Sequence, residues 1–129
     1  MKLVILESPY AGDVQANIDY ARRAVADSLS RGEAPIASHL LYTQPGILDD
    51  DDSQERELGI SAGLAWGRVA DASVFYIDRG VSRGMEEGMR RAREENRHVE
   101  VRRIGAESHA HAARLPNDHS ALIEHEGRP

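Results

Sequence analysis

Asp78, Ser82, Arg83 and Glu86 have the types and spacing for chemistry on a sugar-phosphate. They lie in the stretch ADASVFYIDRGVSRGMEEGMRRA, residues 70–92. Asp78 ends an apolar run of strand type, and Ser82-Arg83-Gly84 opens a helix-forming segment. Glu86 then falls in the first turn of that helix, where the positive helix end favours a carboxylate's charged form. A positioned carboxylate is a nucleophile toward an anomeric carbon. Asp78, in the adjacent turn, is the candidate second carboxyl, protonating or orienting the leaving group. Two carboxyls in different environments are how glycosyl transfer is run. Ser82 and the backbone N–H groups around it could hold a phosphate, with Arg83 adding charge. The same residues also have a plainer reading. Glu86, Glu87, Arg90 and Arg91 form Glu-to-Arg pairs at i,i+4, which are ordinary support for a surface helix.

Other candidates are scattered. Ser8 to Asp13 is a turn-rich stretch after the first apolar run. His39 sits in SHLLYTQPG, where it could touch a base or ribose or be a structural histidine. Tyr10 and Tyr42 are placed to stack on a nucleobase or to pack. The run Asp49 to Asp52 lacks the spaced ligands of a calcium loop and reads as the acidic start of a helix. His109 and His111, two apart, point to different sides of a helix, so no metal site is expected. The two-carboxyl strategy requires no metal and no organic cofactor.

The elements that must position these residues alternate. KLVILE, residues 2–7, reads as a buried strand. Asp13 is a candidate N-cap. Val14, Ile18, Ala21, Val25 and Leu29 then form one apolar stripe on a helix that Gly32 stops. Ala34 to Ser38 reads as a short edge strand, since Pro35 lies inside it. His39 to Pro45 reads as loop. Glu55 to Arg68 reads as a helix, with Leu58, Ala62, Ala65, Trp66 and Val69 apolar and Trp66 in core or interface. Ala72 to Ile77 is the strongest strand, Arg83 to Asn96 a third helix, and Val99 to Ile104 the last strand. This β-α-β-α-β-α-β order predicts a three-layer, doubly wound α/β fold of Rossmann or flavodoxin type. It has a parallel sheet of four to five strands. Ligands in such sheets bind at the carboxyl ends of the strands. Residues 1–105 are read as this domain. Residues 106–129, with His109, His111, His119 and His125, are read as an extension with a short helix near 108–114.

Composition narrows the classes. The chain has 129 residues, one Phe and one Trp. A domain of that size hides about two-thirds of its unfolded surface. The thin aromatic core suggests a partner subunit, and a homodimer is the default. The formal charge of -6 argues against a nucleic-acid partner. Absence of cysteine excludes disulfides and thiolate chemistry. The opening apolar run is too short for a signal peptide or a membrane span, so a cytoplasmic protein is expected.

Gly84-Met85-Glu86-Glu87-Gly88 resembles, position by position, the G-[MY]-E-x-G signature of the nucleoside 2-deoxyribosyltransferase-like family. That family includes the deoxynucleoside-monophosphate N-glycosidases. Ala70-Asp71-Ala72 before the strand and Ser8-Pro9-Tyr10-Ala11-Gly12 after the first one are similar to family patterns too. The ESPYAG start, the SHLLYTQPG loop and the VSRGM segment look most like a phage-type branch. The likeness spreads over about the first hundred residues. It implies that Glu86 attacks C1′ of the sugar and that Asp78 serves the leaving base. It further implies that Ser8, Tyr10, Ala11, Gly12, His39, Ser82, Arg83, Gly84 and Met85 line the substrate site. Aligned on Ala11-Gly12, Pro9 stands where the family carries its Tyr, and Ser82 precedes Glu86 by only four residues. The expected activity is hydrolysis or transfer of an N-glycosidic bond of a nucleotide or nucleoside. The rivals are a nucleotide-binding module without turnover and, further off, a structural protein with a vestigial pocket.

Overall fold

Lys2–Glu7 forms β1, whose run of branched apolar residues suits a strand covered on both faces. The remaining strands are β2 (Glu33–Ile36), β3 (Ala72–Tyr76) and β4 (His98–Arg102). In this computed structural model, which describes residues 1–105, they make one parallel sheet in the order β2-β1-β3-β4. The helices are α1 (Val14–Ser30), α2 (Ser38–Leu41), α3 (Ser53–Ala65) and α4 (Arg83–Glu94). A short 3-10 turn, Trp66–Arg68, follows α3. The doubly wound three-layer architecture is therefore as expected. Right-handed crossovers place α1 on one face and α3 and α4 on the other. The expected helix near residue 108 lies outside the described residues.

Register fixes which side chains share a face. Val4 pairs with Ala72 and Leu6 with Val74. Alternation puts these on the α1 side, where they join Tyr20, Ala24, Tyr76 and Ile104 in the main core. Ile5, Glu7, Ser73 and Phe75 point the other way, and Phe75 is fully covered. On α4, Met85, Gly88 and Ala92 are buried, a stripe at helical spacing that seats this helix on the sheet.

Several boundaries move from the sequence reading. The segment from His39, read as loop, starts with α2, whose N–H groups of Leu41 and Tyr42 bond back to Ala37 and Ser38. β2 begins at Glu33 and stops at Ile36, and β4 ends at Arg102 rather than Ile104. The buried face of α1 is Asn17, Tyr20, Ala21, Ala24 and Ser28; of the expected stripe Ala21 is buried, and Ile18 and Val25 are half-buried. Val14 and Leu29 are exposed. The polar members of the true face are tolerated because each finds a hydrogen-bond partner in the fold. On α3 no residue is buried, and Leu58, Ile60, Trp66 and Val69 are exposed.

Candidate functional site

The connection from β1 turns to the β2 side, while the one from β3 turns to the β4 side. The loops at the carboxyl ends of β1 and β3 therefore diverge, and a crevice opens between them. Asn17 in the first turn of α1 ties the two loops together. Its amide nitrogen donates to the carbonyls of Tyr10 and Ala11 at 3.0 and 3.1 Å. Its carbonyl oxygen accepts from Arg79 Nε at 2.7 Å. Gly12, with φ of 103°, makes the left-handed turn that lets Asp13 cap α1 through the Ala16 N–H.

Asp78 follows β3, and its carboxylate is heavily engaged. Oδ1 accepts from the Tyr20 hydroxyl at 2.6 Å and from the Ile104 N–H at 2.7 Å. Oδ2 accepts from the Gly105 N–H at 3.0 Å. The Tyr20 hydroxyl accepts in turn from the Asp78 N–H at 2.8 Å. Desolvation pushes the Asp78 carboxyl upward. The hydrogen bonds from Tyr20, Ile104 and Gly105 outweigh it and hold the group below the usual carboxylate range. Asp78 is thus a fixed anion. This favours the orienting half of its expected role over the protonating half.

Ser82 caps α4, its hydroxyl accepting from the Met85 N–H at 3.2 Å, while its own N–H points at Met85 Sδ at 3.4 Å. Met85 is buried in the helix seat. Arg83 and Gly84 are exposed at the helix start, where the first backbone N–H groups have no partner within the helix. Two neighbouring carboxylates in the motif differ sharply. Glu87 is drawn to Arg90, whose hydrogen bond keeps it below its ordinary value. Glu86 is exposed, and no ion pair or side-chain hydrogen bond involves it among the described residues.

Ser8 is buried, and its hydroxyl is hydrogen-bonded to His39 Nε2 at 2.7 Å. Burial pushes His39 down to about 4, so its ring is neutral at physiological pH. Glu7, the last residue of β1, is half-buried, and burial pushes its carboxyl up to about 7 against the pull of Arg97. Its carboxyl occupies the notch that Gly88 leaves in α4, where any Cβ would overlap it.

A cleft of about 710 Å³ lies beside this crevice. Tyr10, Ala11 and Gly12 form one wall, and Ile47, Leu48 and the carboxylates of residues 49–51 and 55 the other. Of the expected site residues, the cleft gathers these three from the first loop. Ser8 and His39 meet each other, and Ser82 to Glu86 form the start of α4. Sequence reading missed Glu7, Asn17, Tyr20 and Arg79. Only Glu7 left a signal, as a charge closing an otherwise apolar strand. The others depend on contacts between distant segments.

A doubly wound α/β domain with a polar crevice at its topological switch point defines the class. The chain belongs to a family described as a domain of unknown function (DUF7768), matched over residues 2–102. No curated protein and no solved structure matches the chain. Among the described residues no helix is long and apolar enough to cross a membrane.

Proposed function

We propose that the protein hydrolyses or transfers the N-glycosidic bond of a nucleotide or nucleoside, with Glu86 as the nucleophile at C1′. The observation that carries this reading is the state of Glu86. It is an exposed carboxylate in the first turn of α4, unpaired among the described residues, beside a neighbour that is tied to Arg90. The base stacks on Tyr10 in the cleft, and its amine or hydroxyl donors meet the carboxylates opposite. Those carboxylates repel a phosphate, which instead goes to the N–H groups and guanidinium at Arg83 and Gly84. Asp78 orients the base through the remaining lone pair of Oδ2. Ser8 and His39 shape the floor of the site. The reaction needs no metal or organic cofactor. Nucleic acid is not the substrate, and the protein works in the cytoplasm.

Product chromatography tests this. Wild type and Glu86→Ala are incubated with ribo- and deoxyribonucleoside monophosphates, nucleosides and a dinucleotide with a glycosidic nicotinamide. Wild type is expected to release free base from at least one of them. Glu86→Ala is expected to lose that release by roughly a thousandfold or more, as for removal of a covalent nucleophile. Equal release by both proteins would exclude Glu86 as the nucleophile.

The engagement of Asp78 favours a second reading, a module that binds a nucleotide without turning it over. It predicts binding that survives Glu86→Ala and no base release by either protein.

A further inference from the structure

We propose that Glu7 is the second carboxyl group of the glycosyl-transfer site, giving a proton to the departing base and taking one from the incoming water. This rests on the glycosyl-transfer reading of Glu86 and names the partner that reading lacks. Attack by one carboxylate at C1′ needs a second, protonated carboxyl, because a nucleobase anion is a poor leaving group. Asp78 does not meet the need, since both its oxygens accept hydrogen bonds and it is held ionised. Glu87 is held as an anion by Arg90.

Glu7 meets it on position. It closes β1 at the edge of the β1/β3 crevice, on the face that α4 covers, in register with Phe75. Its carboxyl lies against Gly88, on the same helix as Glu86. No side-chain hydrogen bond among the described residues uses it. Arg97, the cation whose charge acts on it, is already engaged elsewhere. Arg97 donates to Ser73 Oγ at 2.9 Å, to the Gly67 carbonyl at 3.2 Å and to Glu95 at 2.6 Å. Arg91, one turn beyond Gly88, lies 3.6 Å from Glu95, and its buried Nε makes no hydrogen bond among the described residues. Phe75 across the strand pair is uncharged. A desolvated carboxyl lifted to about 7 keeps its proton through much of the neutral range and gives it up readily. The second glycine of the motif thereby acquires a reason, as the space this carboxyl needs.

The step balances. A Glu86 oxygen bonds to C1′ as the C1′–N bond breaks. The released electron pair stays on the base nitrogen, which takes the Glu7 proton. Water then loses a proton to the Glu7 carboxylate, its oxygen bonds to C1′, and the Glu86–C1′ bond breaks with its electrons returning to Glu86. The sum is nucleotide plus water giving base plus sugar phosphate.

The test compares two leaving groups. One is an ordinary purine nucleotide. The other is its N7-methylated, cationic form, whose base departs neutral without a proton. Glu7→Gln is expected to slow release of the ordinary base by about 10²–10⁴-fold and to abolish the rate fall on the alkaline side of neutrality. Release of the methylated base is expected to fall by less than about tenfold, since it needs no proton from the enzyme. Equal losses for both substrates, or for neither, would overturn the role of Glu7 while leaving Glu86 in place. Carbon-13 NMR of the full chain reads the residue without turnover. A Glu7 carboxyl titrating near 7 is expected, and one titrating with the exposed glutamates would overturn the proposal. If wild type releases base from neither substrate, the glycosyl-transfer reading fails and the proposal with it.

Discussion

Glu7 and His39 are both desolvated, and they oppose each other in how stability responds to pH. The Glu7 carboxyl is raised to about 7 from an ordinary 4.5, so the folded state keeps a proton that the unfolded state has lost. Its contribution is full below about pH 4.5 and disappears as pH rises through about 7. His39 is lowered from 6.5 to about 4, so the unfolded state takes up a proton that the folded ring refuses. Its contribution is present above about 6.5 and is lost as pH falls through about 4. Urea denaturation across this range is the check. Glu7→Gln is expected to be relatively more stable than wild type at pH 8 than at pH 4.5, and His39→Gln to flatten the acid limb. A pH-independent difference between Glu7→Gln and wild type would mean that the carboxyl is solvated in the native state.

Packed elements explain both the success and the failure of reading this fold from its sequence. β1 and β3 were legible because continuous apolar runs such as Val4 to Leu6 and Val74 to Tyr76 have few other homes. The Asp13 cap and the start of α4 at Ser82-Arg83 were legible from capping chemistry. The buried face of α1 was not, because Asn17, Tyr20 and Ser28 owe their burial to partners on other elements. Within the site, Glu86 and Asp78 were visible as motif residues, whereas the engagement of Asp78 by Tyr20 and Ile104 required the fold. Another such cross-element contact is a buried ion pair. Arg102 of β4 donates to both oxygens of Glu33 of β2, at 2.9 and 2.7 Å. The Tyr76 hydroxyl accepts from the same guanidinium, and Ser28 donates to Glu33. Arg102→Met alone is expected to cost about 3–5 kcal/mol, because it strands a buried carboxylate. The double change Glu33→Met with Arg102→Met is expected to recover much of that. Thermal denaturation of the three variants measures it, and additive losses would show that the pair is not coupled.

At the scale of the molecule, several large apolar residues lie outside the core among the described residues. Leu3, Leu58, Ile60, Trp66 and Val69 are all exposed, in a protein with one Trp and one Phe. We propose that the homodimer expected from the sequence covers them. Light scattering is expected to give a mass above the 14.2 kDa of one chain, and a monomer at every concentration would remove it. Doubly wound topology accounts for the rest of the arrangement. It brings loops that are far apart in sequence to one end of the sheet, and Asn17 then bridges them to Arg79.

A helix of thirteen residues with none buried, as α3 is, has a thermodynamic consequence of its own. Its amides should open to solvent without waiting for the whole domain to unfold. In deuterium-exchange mass spectrometry, peptides from α3 are expected to label well before those of β1 and β3. Glu55, in the first turn of α3, lines the cleft, so a helix expected to open early forms part of its wall. A molecule that settles there should reveal itself by slowing label uptake in α3. Such an occupant would be found through the protection it confers, before its chemistry is known.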